Sequence, residues 1–231
     1  MDLKLMEKVY RIGETEPFEV HPSGHKAWLL AKVGNLSATI MESEKETPIT
    51  SHLHEEEEFV YVLEGRLAYN DGRVAQAGEA VYNLPNVPHP GAYVGKLLSI
   101  KVYPEPNTKP SDKAFMNKVM ELENVDSFYE EKVMTLRRLW LATESFSIVM
   151  NESEPGSSFK GTVHPEKEIV YVIQGQLEYD NGRVVTSGQA IINLPDAPHP
   201  GRRGGTEHIR SFEAKAPADP KLLARFMEEA G

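Results

Sequence analysis

Residues 54–91 read HEEEEFVYVLEGRLAYNDGRVAQAGEAVYNLPNVPHPG, and residues 164–201 read HPEKEIVYVIQGQLEYDNGRVVTSGQAIINLPDAPHPG. About half of the positions are identical and no gap is needed, so one segment is written twice. The offset is 164 − 54 = 110, and His89 to His199 gives the same, 199 − 89 = 110. The register extends upstream: Phe18 falls on Phe128, and the run LSATI from Leu36 falls on FSIVM from Phe146. Two copies of about 110 residues are each an ordinary domain size. The polar, proline-rich stretch PEPNTKPSDK (104–113) has linker character, which sets the expected domains at 1–112 and 113–231.

Within each copy the pattern is that of strands. FVYVLEG and IVYVIQG are rich in Val, Ile, Tyr and Phe. Asp71-Gly72 and Asn181-Gly182 follow as hairpin signals, and a type I′ turn would place both central residues at positive φ. Many short strands with regular turn signals predict a sandwich or barrel. Helix is confined to ADPKLLARFMEEA, with Asp219 as N-cap and Pro220 in the first helical position.

Composition narrows the function classes. The 231 residues carry a formal net charge of −10 and no cysteine. Disulfides and thiolate ligands are excluded, so any metal is held by His, Asp or Glu. An acidic chain without a basic, aromatic-interleaved patch is a poor nucleic-acid partner. No stretch approaches the roughly 20 apolar residues of a membrane helix. The expected setting is a soluble protein of the cytoplasm, acting on a small molecule.

The histidines point to a site. His52 and His54 lie two apart on a strand, so they face the same way. His89 sits in the corner PNVPHPG, where prolines fix the backbone. A lone strand histidine is more often a packing residue than a ligand, but two at period 2, a third, and a nearby acidic run together suggest a metal.

At this point a family resemblance enters. HLHEEEEFVYVLEG (52–65) resembles the first motif of the cupin superfamily: His-x-His, a Glu four residues on, and a Gly seven beyond that. GEAVYNLPNVPHPG (78–91) is similar to the second motif, with Gly78 eleven residues before His89. The resemblance implies an all-β chain of two tandem antiparallel jelly-roll (cupin) barrels with a short C-terminal helix. It implies His52, His54, Glu58 and His89 as the ligands of one divalent metal in the N-terminal barrel, and that ligand set suits Mn, Fe, Ni, Cu or Zn.

The second copy departs from the motif. Thr162 stands where His52 stood, leaving His164, Glu168 and His199. Two readings stay open: a second, three-ligand metal site in the C-terminal barrel, or a partner domain that has lost its metal. The early glycine of the motif is Gly156 in the second copy but Glu46 in the first, and the late asparagine is Tyr93 or Arg203.

Other residues receive plainer expectations. Glu55, Glu56 and Glu57 form a turn facing water, with a secondary role at the site mouth for Glu56, which recurs as Glu166. Tyr61/Tyr171 and Tyr69/Tyr179 pack strands, and Arg73/Arg183 hold exposed structural positions after the hairpins. His21, His25 and His208 do not recur and carry no role. Arg137, Arg138 and Arg210 are candidates for binding a substrate carboxylate bidentately.

The function expected from the resemblance is a metal-dependent enzyme of the isomerase or lyase kind, redox-neutral, on a small carbonyl- or carboxylate-bearing metabolite. A metal-dependent dioxygenase or decarboxylase is the alternative within enzymes. A non-catalytic small-molecule-binding cupin is the alternative outside them. A homodimer is the expected assembly, and an N-terminal strand such as MEKVYRI is a device for covering the edge of a neighbouring barrel.

Overall fold

The computed structural model describes residues 8–12, 14, 16–20, 24–50, 53–106, 119–131, 134–159 and 163–230. They form antiparallel sheets and, among the described residues, one α-helix, Pro220–Ala230. Among the described residues no helix is long and apolar enough to cross a membrane. The expected boundary at 112/113 falls in 107–118, outside the described residues.

The chain divides into two compact units. The one built on the first copy carries the sheet order Glu19–Val20, Lys26–Val33, Leu36–Ile49, Gly91–Val102, Glu57–Tyr69, Ala80–Asn83, Val119–Met120. The one built on the second copy runs Val9–Arg11, Gln189–Asn193, Lys167–Gln174, Ile209–Ala216, Ser147–Ser153, Thr135–Ala142, Asp126–Glu130, with a smaller four-stranded sheet beside it. An edge strand comes from the far side of the repeat each time. Val9 pairs with Ile191, and Val81 pairs with Val119. The N-terminal strand therefore covers an edge of the second copy's sheet within the same chain, which removes a template for stray pairing.

Alternation along the strands builds two matching cores. Val60, Val62, Leu67, Tyr69, Ala75, Val81, Tyr93 and Leu97 cluster in the first copy. Val170, Val172, Leu177, Tyr179, Val185, Ile191 and Ile209 do so in the second. The helix starts where the sequence predicts, with the Lys221 amide donating to Asp219 Oδ1 at 2.9 Å. Its Leu222, Leu223 and Phe226 pack on Leu139, Ala142 and Val149.

The hairpins differ from the type I′ expectation. Gly72 is at φ +97°, but Asp71 is not among the residues at positive φ. The Gly72 amide donates to Tyr69 O (3.1 Å) and the Tyr69 amide to Arg73 O (2.8 Å), the bonds of a type I turn closed by a left-handed glycine and a bulge. The bulge has a consequence for Arg73, expected to be exposed but in fact 6% exposed. Its guanidinium lies 4.3 Å over the Tyr69 ring and donates to Asp71 Oδ2 at 2.8 Å. Arg183 repeats this over Tyr179 at 4.6 Å.

The long ribbon Glu57–Tyr69 and Gly91–Val102 has to bend to wrap one cavity. The bend sits at the facing pair Gly65 and Gly95, beside a register shift at Val62/Glu64. Both glycines are left-handed, at φ +78° and +102°. A Cβ on Gly65 would lie 2.1 Å from Val94 O, and one on Gly95 2.2 Å from Glu64 O. The strain and the clash act together at one hinge. Gly65→Ala is expected to cost about 2 kcal/mol or more of unfolding free energy, read by urea denaturation. A change under about 0.5 kcal/mol would show that the ribbon bends without needing the glycine.

Candidate metal centre

Three side chains converge inside the first barrel. His54 Nε2 and His89 Nε2 are 3.3 Å apart, and they lie 3.4 Å and 3.5 Å from the same oxygen, Glu58 Oε2. Glu58 enters from the strand Glu57–Tyr69, His54 from the turn just before it, and His89 from the proline corner after Ala80–Asn83. All three are largely or fully buried. His52, expected with them, lies outside the described residues.

The tautomers follow from the surroundings. His54 Nδ1 is 2.8 Å from Glu56 O, and His89 Nδ1 is 2.9 Å from Val87 O. A carbonyl only accepts, so each Nδ1 carries the proton and each Nε2 presents a lone pair. Two lone pairs and a carboxylate oxygen then face one point in a water-poor interior, an arrangement that repels itself unless a cation sits among them. The residues present fit a divalent metal.

Glu58 is held in place from both ends. Ser99 Oγ donates to Oε1 at 2.6 Å, and Asn83 Nδ2 donates to Oε2 at 2.9 Å. Asn83 also donates to the Tyr69 hydroxyl at 2.8 Å. Lys101 Nζ lies 3.4 Å from Oε1. Burial pushes the carboxyl up, but the charge of Lys101, the largest opposing influence, helps hold it well below the usual carboxylate range. Glu58 is therefore ionised at neutral pH.

The group opens on a cavity of about 620 Å³ in the first barrel, lined by Glu58, His89, Ser99, Lys101 and Tyr69 among others. Several of its residues answer or correct the sequence reading. Tyr69 does pack the core, yet it also sits edge-on to His89 at 5.9 Å. Glu56 lines the cavity, while Glu57, expected to face water, is fully buried and accepts from the Tyr82 hydroxyl at 2.6 Å. His25, given no role, is 8% exposed, lines the cavity and hydrogen-bonds the Tyr93 hydroxyl. Asn83, Ser99 and Lys101 escaped the sequence reading altogether. Asn83 had a signal in the repeat, since Asn193 stands at the same place.

The second copy repeats the geometry and changes the walls. His164 and His199 approach Glu168, with Nε2 3.7 Å from Oε1 and Oε2 respectively. Their Nδ1 atoms lie 3.1 Å from Glu166 O and 3.0 Å from Ala197 O. His164 Nε2 is buried with no hydrogen-bond partner, so this group also fits a cation. Thr162 lies outside the described residues. Lys215 opposes Glu168 as Lys101 opposes Glu58, but Glu213 opposes Val170 where Ser99 opposes Val60. Arg137 donates to Glu213 (2.7 Å) and to Glu130 (2.8 Å), and Lys215 lies 3.1 Å from Glu213.

Hence Arg137, a candidate for a substrate carboxylate, is engaged by the protein's own carboxylates. Arg138 and Arg210 are likewise held by Glu152, at 3.1 and 2.9 Å. These pairings also move the repeat register: Lys101 to Lys215 is 215 − 101 = 114, four more than 110. The added residues fall in the loop at 205–208, so His208 is part of an insertion in the second copy.

Residues 39–96 match the family model of the Cupin domain, a span that contains His54, Glu58 and His89. No curated protein matches the sequence. Among solved structures the chain is similar to AerE from Microcystis aeruginosa, at 16% identity and a TM-score of 0.72, covering 87% of this chain and 96% of that one. It is similar to protein Ylba from E. coli, at 13% identity and 0.70, covering 94% and 97%. It is also similar to the oxalate decarboxylase of Lactobacillus farciminis in its formate complex, at 13% identity and 0.65, covering 90% and 86%. These likenesses run over both copies and show their shared fold, two tandem barrels, while the Cupin domain match itself spans residues 39–96.

Asn83 generates a direct test. Asn83→Ala leaves Glu58 without one of its two hydrogen-bond donors, and divalent metal binding is expected to weaken roughly 10- to 100-fold, read by titration calorimetry. An unchanged affinity would mean that Ser99 alone orients the carboxylate.

Proposed function

We propose that this chain is a divalent-metal-dependent enzyme whose first barrel carries out redox-neutral chemistry on a small carbonyl- or carboxylate-bearing metabolite, of the isomerase or lyase kind. One observation carries the reading: two imidazole lone pairs and an ionised carboxylate converge at the wall of a cavity large enough for such a molecule. The mixed nitrogen and oxygen ligands suit Mn, Fe, Ni or Zn. When bound, such a metal supplies Lewis acidity toward a carbonyl or carboxylate oxygen.

The remaining roles belong to the chain. Asn83 and Ser99 fix the two oxygens of Glu58, so the carboxylate cannot swing into the cavity. Lys101 supplies a positive charge on the cavity wall beside Glu58, suited to a substrate carboxylate. Val60, Leu67 and Leu97 give the cavity an apolar side that limits water. The likeness to an oxalate decarboxylase supports a small carboxylate as substrate class. In the second barrel the Arg137–Glu213–Lys215 network replaces small polar walls with mutually neutralised charges. We assign catalysis to the first barrel and metal binding to both.

Elemental analysis tests this on full-length protein purified without chelators. About two equivalents of divalent metal per chain are expected, falling to about one in His54→Ala with the fold retained. No metal after reconstitution would overturn the reading. Turnover of 2-oxo and hydroxy acids without oxygen uptake is the expected activity, and stoichiometric oxygen consumption would replace the redox-neutral reading with a dioxygenase.

A further inference from the structure

The wall of the first cavity holds a second set of titratable groups, separate from the metal ligands. His25 and Tyr93 are both buried and both line the cavity. His25 Nδ1 and the Tyr93 hydroxyl form a short hydrogen bond, with the rings edge-to-face at 5.7 Å and 85°. On the other side of the imidazole, Nε2 lies 3.6 Å from Glu19 Oε1. A carboxylate beside Nε2 favours the proton on that nitrogen, which leaves Nδ1 as acceptor and Tyr93 as donor. The phenol oxygen then keeps lone pairs for a molecule in the cavity.

Two further observations agree. Burial, with the charges of Glu19 and Glu42, pushes the Tyr93 phenol up, so the hydroxyl is protonated at rest. The second barrel makes the same wall contact with different chemistry. Tyr93 opposes Leu67, and Arg203 opposes Leu177. Thr135 stands 110 residues after His25, and Arg203 donates to its hydroxyl at 2.7 Å. The fold brings these two positions together in both copies. Only the first copy fills them with groups able to take a proton and return it.

We propose that Glu19, His25 and Tyr93 form a proton relay opening onto the first cavity, serving a carbonyl compound with an acidic C–H bond, a 2-oxo acid being the simplest. This rests on the functional reading above. In the relay, a lone pair of Tyr93 Oη takes the proton from the carbon next to the carbonyl. The hydroxyl's own proton passes to His25 Nδ1, and Glu19 stabilises the resulting imidazolium. The C–H electron pair becomes the C=C bond of an enolate, with the negative charge on the carbonyl oxygen. The reverse sequence returns a proton to carbon, and no oxidant or reductant is consumed. Tyr93 is never required as a free phenolate.

The test uses the full chain loaded with zinc, with pyruvate in D2O as probe. Proton NMR follows exchange of the pyruvate methyl protons. The wild type is expected to wash them out, and Tyr93→Phe and His25→Gln to do so at least ~100-fold more slowly, with zinc content unchanged. Equal exchange by Tyr93→Phe, or none by zinc-bound wild type, would overturn the relay. Nitrogen NMR of 15N-histidine-labelled, metal-free protein provides an arm that needs neither variant nor metal. His25 is expected with its proton on Nε2 and a bare Nδ1, and a proton on Nδ1 would overturn the relay. A chain showing that tautomer but binding no zinc would refute the metal-enzyme reading and leave the relay standing.

Discussion

The hydrogen bonds from His54 Nδ1 to Glu56 O and from His89 Nδ1 to Val87 O set the electronic character of the first barrel's interior. They involve carbonyls two residues from each ring, so the loop backbone itself selects the tautomer. With Nδ1 protonated, each neutral ring points its Nε2 lone pair toward Glu58, and a cation bound among them relieves the repulsion. Asn83, Ser99 and Lys101 then settle the other half of the problem by keeping the carboxylate ionised and still. A cation-binding point follows from main-chain geometry before any side chain outside the group is considered.

That geometry depends in turn on the bend at Gly65 and Gly95. Glu58 lies at one end of the ribbon and Tyr69 at the other, yet Asn83 donates to both. A straight strand of that length, at about 3.3 Å per residue, would separate them by more than 30 Å. The left-handed glycine pair and the adjacent register shift fold the ribbon over, and one asparagine reaches both ends. Hinge and site are therefore parts of a single constraint.

The same bend explains what the sequence did and did not reveal. The repeat, the strands, the helix start at Asp219 and the trio His54, Glu58 and His89 rest on local spacing, and spacing is legible in one dimension. Ser99, Lys101 and Tyr93 reach the cavity from a strand distant in sequence and His25 from just before another, and which face they present depends on bulges and bends that alternation does not register. Arg73 was read as exposed because it follows a turn, but the left-handed Gly72 closes that turn with a bulge and sends the guanidinium over Tyr69. Glu57 looked like one more carboxylate in a solvated run. Its burial is set by Tyr82, twenty-five residues away, whose hydroxyl gives it a partner.

The two copies separate what the fold demands from what chemistry demands. Tyr69, Asn83 and Arg73 recur as Tyr179, Asn193 and Arg183 with the same contacts, because they brace the ribbon and the ligand carboxylate. Ser99, Tyr93 and His25 are replaced by Glu213, Arg203 and Thr135, and the first two replacements each add a charge to the interior. Glu213 is a second carboxylate near Glu168. Burial drives it toward neutrality, and the charges of Arg137 and Lys215 override that and keep it well below the usual range. A barrel that must neutralise its own interior this way has less freedom to accept a charged guest, since any ligand would compete with bonds already made. The first barrel has a serine hydroxyl, a phenol and an imidazole at those places. Its interior remains receptive to a carboxylate, and the difference between the copies lies in the walls rather than in the metal-ligand trio.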